Sequence, residues 1–205
     1  MTPRLSVHLA TLDATDRLAR TLAALVAPGD VVLLSGELGA GKTTLVRAIA
    51  GALGIDTRQV SSPTFTVMNE YTGGRIDPLV HIDAYRLDGA DENELLELGW
   101  EADGPGTAFV EWGEKVEAVL GAMRSDEPAR IVLEHADDGG RTATLQFPDA
   151  WAGRPGFEAL AALAETGDPP GFPFASEREQ WADLYRWFGE SYRVSRPIEQ
   201  ADLDD

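Results

Sequence analysis

The alternation of apolar and polar positions divides the first 150 residues into short elements. "VVLLSG" (31–36) opens with four consecutive apolar residues, the pattern of a strand covered on both faces. "KTTLVRAIAGALG" (42–54) follows with apolar residues at helical spacing and Gly54 placed to end the helix as a C-cap. Upstream, residues 5–10 alternate weakly and predict a strand. "TLDATDRLARTLAALV" then carries Leu18, Leu22 and Leu25 on one helical stripe, with Asp13 or Thr15 as N-cap candidates and "APGD" as the break.

Beyond residue 60 the pattern is more strand-like. Val67–Tyr71 and Leu79–Ile82 predict two strands around a Gly-Gly turn region. "DENELLELG" predicts a short acidic helix. "GTAFVEWGEKVEAVLGAM" predicts a strand over 107–111 running into a helix. "ARIVLEHADDGGRTATLQF" reads as a hairpin, with Ile131 and Leu133 alternating on one arm, Thr142, Thr144 and Gln146 on the other, and Asp138-Gly139-Gly140 as the turn. After Pro148 the composition shifts to Ala, Gly and Pro. "SEREQWADLYRWFGESY" then sets Trp181, Leu184, Tyr185 and Phe188 on one helical stripe. The expected organisation is a domain over 1–148 and a C-terminal extension over 149–205 that contains an aromatic helix.

Composition narrows the class. Hydrophobic residues make up 43% of 205, which fits a folded globule. With no cysteine, disulfides and thiolate metal sites are excluded, and the three scattered histidines argue against a histidine metal cluster. Asp13, Asp16 and Arg17 interrupt any apolar run near the N-terminus, so no signal segment is expected, and no stretch approaches the roughly 20 apolar residues of a membrane helix. A cytoplasmic location without membrane attachment is the expectation. The charge balance is 17 basic against 35 acidic residues, or −18, which repels naked nucleic acid at long range. Any RNA-linked role therefore calls for a partner to hold the RNA.

The chemistry concentrates in "GELGAGKTT" (36–44), which fits G-x-x-x-x-G-K-[ST] between a predicted strand and a predicted helix. Gly36, Gly39 and Gly41 permit backbone angles closed to other residues, and let the amides of this loop, Ala40 and Thr44 included, approach phosphate oxygens. The helix starting near Lys42 directs free N–H groups and its positive end at the anion. Lys42 is the candidate bridge between β- and γ-phosphates, and Thr43 the candidate Mg²⁺ hydroxyl. A second Mg²⁺ acid and a group that orients the attacking water are also needed. Asp83 in "VHIDAYR" and Glu111 in "AFVEW" both close predicted strands, the usual place for such groups in α/β proteins. Thr64 and Thr66 in "SSPTFT" offer hydroxyls on a loop of the kind that senses the γ-phosphate.

Taken in order, "GELGAGKTT", "SSPTFT", "HIDAYRL" and "VEW" resemble the TsaE (YjeE) family, over about residues 6 to 147. The resemblance implies an α/β fold of P-loop NTPase type, with a mixed β-sheet flanked by helices. It also implies ATP and Mg²⁺ as ligands, slow hydrolysis, and work with two partners, TsaD and TsaB, in forming N6-threonylcarbamoyladenosine at position 37 of tRNAs reading ANN codons. The tRNA would be met only indirectly, through that complex. By the same resemblance Lys42 is the phosphate lysine and Thr43 a metal ligand. Glu111 is the second metal ligand, and Asp83 acts in hydrolysis through a water-mediated metal contact or by positioning water. Thr64 lies near the γ-phosphate and Trp112 near the nucleotide. Arg141 reaches toward the nucleotide, and Thr15 belongs to the segment beside the adenine. Tyr85 and Arg86 are open between supporting the site, facing a partner, and a structural place at a strand end. The extension after 148 has no counterpart in the family's short form.

Three rival readings are weaker. A small-molecule kinase needs an arginine-rich lid, for which few arginines are available here. A regulatory GTPase needs a guanine reader. "DGPG" (103–106) satisfies D-x-x-G, but no predicted strand leads into it, and neither Asn69 nor Asn93 begins N-K-x-D. A nucleotide-dependent binding module with incidental hydrolysis uses the same residues as a slow ATPase, and the sequence leaves it open.

Overall fold

A computed structural model describes residues 4–87, 89–100 and 104–166. All fall within the first of the two units into which the chain divides, 1–168. The stripe Trp181–Phe188 lies outside the described residues.

Seven strands form one mixed sheet in the order β1 (Arg4–Leu9), β7 (Arg141–Gln146), β6 (Ala129–His135), β2 (Val31–Ser35), β5 (Thr107–Glu111), β4 (Leu79–Asp83), β3 (Met68–Tyr71). β2 runs parallel to both neighbours, and β4 parallel to β5, whereas β1, β7 and β3 pair antiparallel at the two sides. The buried parallel centre explains the unbroken apolar run at 31–34. Val32 and Leu34 join one core with α1 (Leu12–Leu25) and α2 (Lys42–Ala52). Val31 and Leu33 join a second core with Leu95 of α3 (Glu92–Glu97) and Leu120 of α4 (Glu117–Met123). This is a P-loop NTPase-like fold, as expected.

Most local signals match the observed elements. Asp91 caps α3 in a full capping box with Glu94. Gly54, at φ +95°, follows α2 in the left-handed conformation that only glycine adopts without strain. One expectation fails. The N-cap of α1 is neither Asp13 nor Thr15 but Thr11, whose hydroxyl accepts from the Ala14 amide at 3.1 Å. Thr11 keeps an extended backbone, as a cap must, while Asp13 lies inside the first turn.

The chain stays on the same core past Pro148. Phe147 stacks on Trp151 at 5.2 Å between ring centroids and meets Phe157 edge-on at 6.2 Å. Trp151 and Leu160, the latter on α5 (Phe157–Thr166), belong to the α1–α2 side of the core. Arg154 lies over the Trp151 ring and pairs with Asp30 just before β2, Nη2 to Oδ1 at 2.9 Å. The shift in composition at 149 therefore marks the end of the sheet, while packing continues through α5.

Candidate nucleotide site

The carboxyl ends of β2, β5 and β4 lie side by side, so the loop after β2 meets the last residues of the other two strands. Asp83 and Glu111 are register partners across the β4–β5 pair, and Leu34 pairs with Glu111 across β2–β5. Strand alternation puts Leu79, His81 and Asp83 on one face of β4, and Phe109 and Glu111 on the same face of β5, toward α2. Among the described residues the buried polar or charged side chains are Lys42, His81, Asp83, Thr107 and Glu111, and all but Thr107 belong to this one place. Ionisable groups so withdrawn from water need partners, and each has them.

Lys42, 5% exposed, donates from Nζ to the carbonyls of Gly36 at 2.6 Å and Glu37 at 2.9 Å. Its ammonium also lies 3.8 Å from the centroid of the Trp112 ring. Burial lowers the Lys42 pKa from the usual lysine value, and the nearby Glu111, Glu114 and Asp83 carboxylates pull it partway back. Thr43 donates its hydroxyl to Glu111 Oε1 at 2.6 Å, and His81 Nε2 approaches the same oxygen at 2.8 Å. Asp83 accepts from the Thr64 hydroxyl on Oδ2 at 2.8 Å and from the Tyr85 amide on Oδ1 at 3.0 Å. Ser62 in turn is 2.8 Å from Thr64, hydroxyl to hydroxyl.

The loop itself is shaped by glycine. Gly36 has φ +138°, and a Cβ there would lie 2.2 Å from the Leu133 carbonyl oxygen of β6. Gly36→Ala is therefore expected to displace the loop from the sheet and remove nucleotide binding while the helices persist. Calorimetric titration beside a circular dichroism spectrum checks this, and an alanine variant that binds normally contradicts it. Gly41, at φ +105°, turns the chain into α2, and Gly39 at φ +79° has open space around it. Arg141, at the start of β7, donates from Nη2 to the Gly39 carbonyl at 3.2 Å, which brings the hairpin to the loop. The tip of that hairpin is held by Asp138, bonded to the Gly140 amide at 3.0 Å and to His8 at 2.8 Å. The Gly140 amide, with His8 beside it, keeps the Asp138 carboxyl below its usual range.

Lys42, Thr43, Thr64, Asp83, Glu111, Trp112 and Arg141 thus lie together at the carboxyl end of the parallel strands. Ala40 is buried under the loop and Thr44 continues α2 without a polar contact in the site. Thr15 spends its hydroxyl on the Thr11 carbonyl at 3.3 Å, one turn into α1, and makes no hydrogen bond to the loop. Three features of the site go beyond the sequence motifs. His81 opens the stretch "HIDAYRL", which by itself assigns it no role, although period-two alternation puts it on the face of Asp83. Tyr71 anchors the Ser61–Thr66 segment by donating its hydroxyl to the Ser61 carbonyl at 3.2 Å. Val67 and Trp112 take positive φ, +68° and +57°, immediately after the threonine loop and immediately after Glu111. Such strain in residues other than glycine costs roughly 1–3 kcal/mol and concentrates at functional sites.

The donor set suits a hard divalent cation. Because Thr43 donates its hydroxyl hydrogen bond to Glu111, its oxygen lone pairs stay available. Glu111 Oε2 receives no hydrogen bond from any described residue. Mg²⁺ takes such oxygens singly and fills its shell with water and phosphate, so a dense carboxylate cage is not required. Among the described residues no group of three or more His, Asp or Glu forms one.

Fold and loop together define a protein of the P-loop NTPase class. Residues 9–143 match the family described as threonylcarbamoyl adenosine biosynthesis protein TsaE. The chain is 43% identical over 133 residues to the tRNA threonylcarbamoyladenosine biosynthesis protein TsaE of Bacillus subtilis, covering 65% of this chain and 79% of that protein. To its Streptomyces coelicolor namesake it is 42% identical over 138 residues, covering 66% and 92%. The crystal structure of Bacillus subtilis YdiB is similar with a TM-score of 0.57 at 30% identity, covering 82% of this chain and 99% of that one. The chain belongs to the TsaE family.

Proposed function

We propose that this chain is a Mg²⁺-dependent ATPase that supports turnover by TsaD and TsaB homologues as they form N6-threonylcarbamoyladenosine at position 37 of tRNAs reading ANN codons. The reading extends to a cytoplasmic protein that meets tRNA only through those partners. Among the described residues no helix is long and apolar enough to cross a membrane. The observation that carries the nucleotide reading is the Thr43–Glu111 hydrogen bond beside the buried Lys42. It joins the phosphate loop to the acid of the neighbouring strand, which is the arrangement a metal-assisted phosphoryl site needs.

Thr43 and Glu111 would hold Mg²⁺, with Asp83 adjacent for a water-mediated contact. The cation would neutralise charge on the β- and γ-phosphate oxygens. The protein's own groups do the rest. Loop amides from Gly36 to Thr44 and the start of α2 bind the phosphates. Lys42 exchanges its two carbonyl acceptors for phosphate oxygens, which form stronger charge-assisted bonds. Arg141, already at the loop, adds a second cation. Asp83 is held by donors on both oxygens, so it faces the site as an acceptor able to orient a water molecule. Trp112 packs against Tyr85 at 5.2 Å and covers the Lys42 ammonium, limiting water access there.

Glu111→Ala is expected to raise the Mg²⁺ concentration needed for half-maximal hydrolysis by about 10-fold or more. An unchanged Mg²⁺ titration moves the ligand role to Asp83. For the cellular role, purified TsaD and TsaB homologues with tRNA are expected to give modified adenosine over many cycles only when this chain and ATP are added. Equal multiple turnover without it refutes the role.

A further inference from the structure

The mechanism leaves one buried group of the site without a duty. His81 is fully buried on β4, two residues before Asp83, and its ring lies 6.5 Å from that of Tyr71. Its Nε2 meets Glu111 Oε1 at 2.8 Å, while its Nδ1 has no hydrogen-bond partner. An apolar side chain among Leu79 and Phe109 would avoid the cost of that orphaned nitrogen. The imidazole therefore contributes through the bond to Glu111.

The direction of the bond follows from what Oε1 can do. A carboxylate only accepts, and Oε1 already accepts from Thr43. Nε2 must then carry the proton, which leaves a bare lone pair on the buried Nδ1. The opposite tautomer would set two lone pairs against each other at 2.8 Å and bury an unpaired N–H as well. The two donors come from different elements, α2 and β4, and converge on one oxygen. With Oε1 so occupied, the carboxylate has a single orientation and Oε2 is left over.

We propose that His81 is a positioning residue of the cation site, donating from Nε2 to fix the Glu111 carboxylate so that Oε2 is presented to Mg²⁺ or to its bound water. This rests on the reading of Thr43 and Glu111 as the metal end of the site. His81 touches neither nucleotide nor metal and acts only through Glu111. Groups in this position, behind a metal ligand, typically set affinity by 10–100-fold.

The test uses the full chain. Nitrogen NMR of ¹⁵N-histidine-labelled protein without nucleotide is expected to show His81, assigned by its loss in His81→Gln, protonated on Nε2 and bare on Nδ1. A proton on Nδ1 with Nε2 bare overturns the proposal. Calorimetric Mg²⁺ titration of the ATP-bound chain supplies the second readout. His81→Phe, which keeps the bulk and loses the donor, is expected to raise the Mg²⁺ midpoint about 10-fold or more, with ATP affinity in the absence of Mg²⁺ unchanged. His81→Gln, whose side-chain amide can replace the Nε2 donor, is expected to stay close to wild type. A folded His81→Phe with a normal midpoint, or a His81→Gln as impaired as His81→Phe, overturns the proposal. If His81→Phe fails to fold, the tautomer and the glutamine variant decide alone. Wild-type chain that binds ATP without responding to Mg²⁺ sinks the metal reading and this proposal with it. A normal wild-type response with unaffected variants sinks only the proposal.

Discussion

Lys42→Ala is expected to reduce ATP hydrolysis by at least about 100-fold and to weaken ATP binding in parallel. The substitution removes the one ammonium that the site holds out of water, where its pairing with phosphate is strongest. The rest of the fold should tolerate it. Among the described residues Lys42 donates to the Gly36 and Glu37 carbonyls and lies over the Trp112 ring, and the two carbonyls belong to a loop that water can reach once the side chain is gone. Phosphate release and calorimetric binding, measured beside a thermal melt, separate loss of function from loss of fold. Equal hydrolysis rates in mutant and wild type refute the assignment of the loop.

Asp83→Asn is expected to lower kcat by about 100-fold or more while ATP binding changes little, the range seen when a positioned acid or base is lost. Asparagine keeps the shape of the side chain and one carbonyl acceptor. It can therefore still cap the turn Ala84–Arg86 through the Tyr85 amide. What it loses is the negative charge and the second acceptor facing Thr64. A fall in kcat with stable affinity separates this role from that of Lys42, whose loss affects both. If affinity falls and kcat survives, Asp83 serves binding, and the water-orienting role belongs elsewhere.

The parts of the site that lie close together in the chain are legible in the sequence. The 31–44 segment announces itself through a run of apolar residues buried on both faces, followed by glycines whose backbone angles other residues rarely accept. Asp83 and Glu111 are legible as strand-end acids, because a strand's apolar stretch and its polar end are both local. Their pairing across β4 and β5 is not, since the register between two strands far apart in the chain is set by packing and not by neighbours in sequence. His81 escapes a sequence reading for that reason. A lone histidine in an apolar strand gains meaning only once Glu111 is known to lie diagonally across from it. The N-cap of α1 is ambiguous in sequence because Thr11, Asp13, Thr15 and Asp16 all have capping chemistry. Only the backbone shows that the helix starts at Leu12. The Ala, Gly and Pro content after 148 hides Trp151 and Leu160, two isolated anchors that bury against the α1–α2 core without forming a periodic stripe.

The most direct measurement is a crystal structure of the chain with Mg²⁺ and a nonhydrolysable ATP analogue at saturation. The expected result is β- and γ-phosphates within hydrogen-bond reach of the amides from Gly36 to Thr44, Lys42 Nζ turned from the Gly36 carbonyl onto phosphate, and Mg²⁺ at Thr43 beside Glu111. Saturated crystals in which that loop holds no phosphate, or in which the analogue sits elsewhere on the sheet, contradict it.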